Sequence, residues 1–183
     1  VVIRKPQMLP KISQGVTTVI VGNCGISASP VSLAGDPPDP MNLLGTSAAF
    51  VYPRFSDYRN AVDKARPAVN VAALIGHTAL RSNHMDNLLR TASPDEISAM
   101  REQLRDSLES GALGLSTGLA YASAFSAETT EVKQLAEELT AFGAVYTTHL
   151  RSEFEPVLEA MDEAFDIGRH AKSPVVISHM KCA

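Results

Sequence analysis

Residues 112–118, 144–149 and 174–179 read ALGLSTG, AVYTTH and PVVISH, and these three stretches decide the fold. Each contains a short apolar and β-branched run, which is typical of a strand buried on both faces of a parallel sheet. They recur at intervals of about 30 residues, which is the length of a βα unit. The pattern therefore predicts parallel strands that alternate with helices.

Further runs of the same kind extend the alternation over most of the chain. The segment 93–111 carries clear helix signals, with a capping-box pattern at its start and Gly111 suited to its end. Five strands joined by four crossovers form either an open doubly wound sheet or an arc of a (β/α)8 barrel. The predicted strands are 16–21, 69–75, 112–116, 144–148 and 174–178, and the predicted helices lie in 58–65, 93–111, 126–143 and 155–174.

Composition and charge narrow the classes of function. The chain has 183 residues, of which 45% are hydrophobic and 20% charged, and its formal net charge is −4. This balance, with no run of Lys or Arg, argues against nucleic acid or an anionic membrane as the main partner. No apolar stretch approaches the roughly 18 residues that span a bilayer. Two cysteines do not make a disulfide framework, so we expect a cytoplasmic setting.

One long segment, residues 27–53, interrupts the alternation. It is rich in proline and glycine and follows directly after the first predicted strand. Loops of this length are usually functional or disordered. We expect either a flap over a site or a mobile surface insertion.

Chemically active side chains follow the predicted strands. Cys24 follows the first strand, His77 the second, residues 116–121 the third, His149 the fourth and His179 the fifth. Histidine occurs only five times in the chain, so three strand ends with histidine are unlikely by chance. The carboxyl ends of the strands carry the site in parallel α/β folds, so we expect these side chains to converge.

Cys24, His149 and His179 together favour a metal site. Thiolate and imidazole are preferred zinc ligands, and three protein ligands with an open position is the catalytic arrangement. The three residues come from different strands, without the local spacing of a structural zinc finger. Each residue alone is equally consistent with a buried thiol or with a histidine satisfied by backbone groups.

Four stretches resemble one known family. "QGVTTVIVGNCG" at 14–25, "GALGLSTGLAY" at 111–121, "TTHLRSE" at 147–153 and "ISHMKC" at 177–182 are similar to the N-acyl-D-amino-acid deacylases, or D-aminoacylases, of the amidohydrolase superfamily. The resemblance implies an α/β fold that is part of a (β/α)8 TIM-type barrel with parallel strands and alternating helices. It also implies zinc-dependent hydrolysis of the amide bond of N-acyl-D-amino acids to a carboxylate and a D-amino acid.

The resemblance assigns roles to particular residues. It implies that Cys24, His149 and His179 hold one tight zinc ion, with Cys24 able to bridge to a second, weaker metal in the full-length enzyme. Tyr121 is similar to a tyrosine that hydrogen-bonds the scissile carbonyl, and Lys181 to a lysine that binds the substrate carboxylate. Arg151 is a further candidate for a substrate carboxylate, the alternative being a local ion pair with an acidic neighbour, Glu153 or Glu155.

Parts of the family pattern do not occur in these residues. The family has a His-x-His pair on strand 1, a general acid/base aspartate on strand 8 and a β-sandwich domain, and none of these lies in the present sequence. We therefore expect residues 1–183 to be a partial barrel domain of a longer enzyme, with little or no turnover alone. Two open strand edges need covering, by self-association or by further chain.

Other functions stay open at this stage. An amidohydrolase of cyclic amides usually has a carboxylated lysine on strand 4, but "ALGLSTGL" has no lysine. A thiol enzyme would use Cys24 as nucleophile and His149 as base. His77 is a weaker candidate, which either lines the pocket or is a turn histidine satisfied by backbone groups, and Arg81 is a further candidate for a substrate carboxylate. A non-catalytic α/β module that binds a metabolite is the alternative from another class.

Overall fold

The computed structural model describes residues 1–180, and its centre is a five-stranded parallel sheet. The five strands lie side by side in the order in which they occur along the chain, and all neighbouring pairs are parallel. The five predicted strands are therefore confirmed, with ends shifted by at most two residues. Their bounds are Thr18–Val21 (β1), Asn70–Gly76 (β4), Gly114–Gly118 (β5), Val145–His149 (β6) and Val175–Ile177 (β7).

The sheet is curled rather than flat. β1 and β7 are its opposite edges, yet Asn23 Oδ1, just after β1, lies 2.9 Å from Ser178 Oγ, just after β7. Such closeness across five strands requires the sheet to bend into part of a barrel. Of the two predicted folds, the structure thus confirms a fragment of a (β/α)8 barrel and not an open doubly wound sheet.

Helices connect the strands and bury one face of the sheet. Helix α4, Pro94–Glu109, has the predicted capping box. The Ser93 hydroxyl accepts a hydrogen bond from the Glu96 backbone N–H, and the Glu96 carboxylate accepts one from the Ser93 backbone N–H. In place of the predicted helix 126–143, the structure has helix α6, Thr129–Ala136, followed by a 3-10 segment, Glu137–Phe142. The α-helices are Leu9–Ile12 (α1), Phe55–Ala65 (α2), His77–His84 (α3), Pro94–Glu109 (α4), Ala122–Phe125 (α5), Thr129–Ala136 (α6) and Val157–Ala171 (α7).

Alternation along the strands separates the core from the site. Leu115 of β5 and Tyr146 of β6 are register partners with no exposed surface, and both belong to the main hydrophobic core beneath the helices. Ser116, Thr147 and His149 point to the opposite face, because successive side chains alternate along a strand. This inner face carries small and polar residues, which leaves room for chemistry.

The long segment 27–53 is packed and partly regular. Val31–Ser32 (β2) and Val51–Tyr52 (β3) form a two-stranded antiparallel sheet, and two 3-10 turns lie between them. Val31, Met41 and Phe50 have no exposed surface and pack with Ala79 of α3 in a small second core. This packing argues against a mobile surface insertion. Within residues 1–180, no helix has both the length and the apolar character that crossing a membrane requires.

Candidate metal centre

The turn that carries Cys24 begins directly after β1. Gly22 has φ +84° and a Cβ at this position would overlap the Leu74 carbonyl, so only glycine suits the start of the turn. Cys24 itself has φ 56°, in the left-handed region that non-glycine residues rarely adopt. The Ser116 hydroxyl fastens the turn to β5, since it donates to the Gly22 carbonyl and accepts from the Gly25 amide at 3.1 Å.

The two histidines approach Cys24 from neighbouring strands. His149 is the last residue of β6, and His179 follows β7. The Cys24 Sγ and His179 Nε2 atoms are 3.1 Å apart, and the ring centroids of His149 and His179 are 4.9 Å apart. Ligand atoms from all three residues lie within 4.8 Å of one another. The structure therefore brings together the three residues predicted to bind metal.

The donor set and its spacing suit zinc. Zn–S distances of about 2.3 Å and Zn–N distances of about 2.0–2.1 Å place ligand atoms roughly 3.6 Å apart around a tetrahedral ion. The three side chains reach that spacing with small movements. In residues 1–180 they are the one group of histidine, cysteine and acidic side chains close enough together to hold a metal ion. Three protein ligands leave a position open, as in catalytic zinc sites.

Tyr121 lies beside this group, as the sequence predicts. Its hydroxyl is 3.3 Å from His149 Nδ1, and the two rings are 5.0 Å apart. Burial raises the pKa of Tyr121, and its interaction with the neighbouring Cys24 raises it further. The phenol therefore keeps its proton at neutral pH and is available as a donor.

Two neighbours of the site have no clear signal in the sequence alone. Glu153 Oε1 lies 3.1 Å from His149 Nε2, four residues further along the chain in the loop after β6. Asn23 Oδ1 accepts hydrogen bonds from Thr147 and Ser178. The spacing i and i+4 indicates contact only on a helix, and Glu153 lies in a loop, so the first contact has no such signal. The second joins residues more than 120 positions apart and depends on the curl of the sheet.

The structure gives Arg151 a different partner from the predicted substrate carboxylate. Its Nε and Nη2 donate to the two oxygens of Glu163, at 2.9 and 2.7 Å. Nη1 donates to the Phe125 carbonyl and Nη2 also to the Ala127 carbonyl. The alternative ion pair is thus closer to what is observed, although its partner is Glu163 of α7 and neither Glu153 nor Glu155. The predicted substrate ligand Lys181 lies outside the described residues.

His77 and Arg81 of α3 form a buried ion cluster with Glu131 of α6. Arg81 Nη1 lies 2.6 and 2.8 Å from the Glu131 oxygens, and His77 Nε2 lies 2.8 Å from Glu131 Oε1. All three side chains have at most 1% of their surface exposed. Arg81 therefore has no free surface for a substrate, and the prediction that it could hold a substrate carboxylate was wrong. Glu131 was missed because its position in a helix resembles that of solvated acids.

A curled parallel sheet with a Cys-His-His group at the carboxyl ends of its strands defines a metal-binding α/β-barrel protein. Comparison with known families is more specific. A model described as "Amidohydrolase family" matches residues 2–180, and the chain belongs to this family.

Relatives of known name are similar over almost the whole chain. A D-aminoacylase from Alcaligenes xylosoxydans xylosoxydans is 45% identical over 179 residues, which cover 98% of this chain and 37% of the relative. A solved structure of a D-aminoacylase with a binuclear metal centre superposes with a TM-score of 0.96 at 47% identity, over 99% of this chain and 38% of that one.

A second solved structure differs in substrate. It is the N-acyl-D-glutamate deacylase from Bordetella bronchiseptica, complexed with zinc and a phosphonate inhibitor that mimics the tetrahedral intermediate. The superposition has a TM-score of 0.93 at 39% identity, over 99% of this chain and 38% of that one. The chain thus spans a little over a third of the length of the relatives it matches.

Proposed function

We propose that this chain is part of a zinc-dependent enzyme that hydrolyses the amide bond of N-acyl-D-amino acids to a carboxylate and a D-amino acid. The observation that carries the proposal is the convergence of the Cys24, His149 and His179 ligand atoms within 4.8 Å at the carboxyl ends of the strands. The similarity to enzymes named D-aminoacylase and N-acyl-D-glutamate deacylase supports the choice of substrate class.

In this proposal Cys24, His149 and His179 hold the metal. A bound zinc ion supplies Lewis-acid polarisation of the amide carbonyl and lowers the pKa of water. The left-handed turn at Cys24 aims the sulfur across the inner face of the sheet, and each histidine enters from its own strand end. Ligands from three separate strands on a rigid sheet suit a site that must keep its geometry during turnover.

Tyr121 is the proposed donor to the substrate carbonyl. Its hydroxyl lies beside a candidate ligand and keeps its proton, because burial raises its pKa. A donor aimed at the carbonyl oxygen stabilises the charge that develops there during attack. Lys181 is the proposed partner of the substrate carboxylate, since an ammonium group supplies the opposite charge.

We propose that further catalytic parts come from additional chain. The family's His-x-His pair, its general acid/base aspartate and its β-sandwich domain have no counterpart in residues 1–183. The relatives, which are more than twice as long, are consistent with this. Accordingly, these residues alone should bind one zinc ion tightly and turn over substrate little or not at all. A second, weaker metal would belong to the full-length enzyme.

Metal content and activity test the proposal together. The purified protein should contain about one zinc per chain, and Cys24→Ala should lose it. Cys182→Ser removes the other cysteine and is the matched control, in which zinc should be retained. In the longer protein that contains this segment, hydrolysis of N-acetyl-D-alanine or N-acetyl-D-glutamate, in preference to the L-enantiomers, should disappear with the Cys24 change. Equal zinc in both cysteine variants would contradict the proposal.

The Cys24–His179 contact also favours a second candidate, a thiol enzyme. A sulfur 3.1 Å from an imidazole nitrogen is the geometry of an activated nucleophile. In this candidate His179 would be the base, because its Nε2 is the nitrogen 3.1 Å from the sulfur, whereas the sequence predicted His149. Alkylation by iodoacetamide in the Cys182→Ser protein separates the candidates, because zinc protects Cys24 only if Cys24 is a ligand.

A further inference from the structure

Asn23 lies between the turn that carries Cys24 and the strands that carry the two histidines. Its Oδ1 atom accepts hydrogen bonds from Thr147 Oγ1 at 3.2 Å and from Ser178 Oγ at 2.9 Å. Both donors belong to the far side of the sheet, because β4 and β5 separate β1 from β6. One oxygen atom therefore joins the first strand of the sheet to the fourth and fifth.

Each member of this contact lies within two residues of a candidate ligand along the chain. Asn23 directly precedes Cys24, and Ser178 directly precedes His179. Thr147 lies two residues before His149 on β6, so both side chains are on the same face of the strand. Any displacement of the Asn23 carboxamide is therefore passed to the ligands through only one or two peptide units.

The backbone of Cys24 needs such support. Its φ of 56° is in a region that costs free energy for a residue with a Cβ, and this conformation persists only where the surroundings impose it. Ser116 holds Gly22 and Gly25 at the two ends of the turn. Asn23 lies between these anchors and holds the middle of the turn against β6 and β7.

We infer that Asn23 is a positioning residue for the metal centre, which sets the distance between Cys24 and the two histidines through its hydrogen bonds to Thr147 and Ser178. The inference rests on the proposed function, because it assumes that the three residues bind a metal. Groups that orient metal ligands from outside typically change metal affinity by about 10- to 100-fold when they are replaced.

Two substitutions of Asn23 separate its hydrogen bonds from its shape. Asn23→Leu keeps the size of the side chain but removes the acceptor. Asn23→Asp keeps an acceptor oxygen at the same place and adds a negative charge, which favours a bound cation. Zinc affinity, measured by competition with a chelator, should fall about 10- to 100-fold in Asn23→Leu and equal or exceed the wild-type affinity in Asn23→Asp.

A spectroscopic readout distinguishes positioning from general destabilisation. The absorption bands of bound Co²⁺ report coordination geometry, so they should shift in Asn23→Leu and be restored in Asn23→Asp. Asn70→Leu is the matched control, because the Asn70 side chain bonds to the Thr17 carbonyl at the opposite end of the same strand pair. Its zinc affinity and Co²⁺ spectrum should equal those of the wild type.

The outcomes are distinguishable. A folded Asn23→Leu protein with wild-type zinc affinity and an unchanged Co²⁺ spectrum would overturn the inference. Should Asn23→Leu not fold, Ser178→Ala decides, since it removes one donor from the same contact: an affinity about tenfold weaker supports the inference, and an unchanged affinity refutes it. Absence of metal binding in the wild type would instead refute the proposed function, independently of the variants.

Discussion

Gly118 ends β5 at the point where the Cys24 turn and the Tyr121 ring meet. A Cβ added to Gly118 would overlap both the Cys24 carbonyl oxygen and the Tyr121 ring. The absence of a side chain here lets the backbone of one strand end approach the turn of another. A glycine that reads in the sequence as one member of "GLSTG" is thus a requirement of the site's geometry.

We expect Gly118→Ala to weaken the metal site. The added methyl group must displace either the Cys24 turn or the Tyr121 ring, and such overpacking costs about 1–3 kcal/mol. Zinc affinity and the free energy of unfolding in urea should both decrease. Gly35→Ala is the control, because nothing lies within 4 Å of a Cβ at that position. Its stability should stay within about 0.5 kcal/mol of the wild type, and an equal effect at both positions would contradict the explanation.

At the scale of elements, local sequence patterns predict the helices well, but they do not predict the structure of the long segment 27–53. Helix α4 has its cap, its first-turn proline and its apolar stripe all within 16 residues, so the sequence predicts it almost to the residue. The segment 27–53 has no such local pattern, because its order comes from a small core shared with Ala79 of α3. That contact joins residues far apart in the chain, which no periodicity reveals.

We expect Ser93→Ala to destabilise α4. The Ser93 hydroxyl accepts from the Glu96 amide at 3.3 Å, and loss of an N-cap side chain typically costs about 1 kcal/mol. Ser98→Ala makes the same change at an exposed position inside the same helix, where alanine is slightly favoured. In thermal and urea unfolding, Ser93→Ala should therefore be less stable than the wild type, and Ser98→Ala should be slightly more stable. Equal stability of both proteins would show that the cap contributes nothing.

At the scale of the whole molecule, a buried ion cluster joins helices α3 and α6. His77 and Arg81 lie in α3, directly after β4, and Glu131 lies in α6. Arg81 also donates to the carbonyls of Leu88 and Arg90, so it fixes the following loop. The cluster therefore connects α3 to α6 and to the loop that follows α3.

We expect Glu131→Gln to unfold far more easily than the wild type at neutral pH. It leaves the Arg81 charge buried without its partner, which typically costs about 3–5 kcal/mol. Asp86→Asn removes the acid of an exposed pair with Arg90 and should have a much smaller effect, because water screens that pair. Urea unfolding measures both effects. A similar small loss in both variants would mean that the buried cluster does not stabilise the fold.

The same acid makes stability depend on pH. Burial by itself raises the pKa of Glu131, but the hydrogen bonds and charges of His77 and Arg81 outweigh it and lower that pKa from 4.5 to about 2. The stabilisation is therefore complete above pH 4.5 and is lost as the pH falls through about 2. The free energy of unfolding should decrease over this interval in the wild type and change less in Glu131→Gln. Parallel pH profiles would contradict this assignment.

The sequence by itself determined the alternation of strands and helices, the residues at the strand ends and the family. These properties are local or linear: apolar runs, caps, and motifs such as "TTHLRSE" can be read in order along the chain. The choice of Cys24, His149 and His179 as a group followed from the same reasoning, because parallel strands present their carboxyl ends at one edge.

Only the tertiary structure decided which side chains touch. The curl of the sheet brings Asn23 to Ser178 across 155 positions, and it brings His179 Nε2 to 3.1 Å from the Cys24 sulfur. It also pairs Arg151 with Glu163 and buries Arg81 against Glu131, two partners that their positions in the sequence did not indicate. The physical reason is that a charged side chain takes the partner that the packing of distant helices and strands offers, and that packing is not encoded in local spacing.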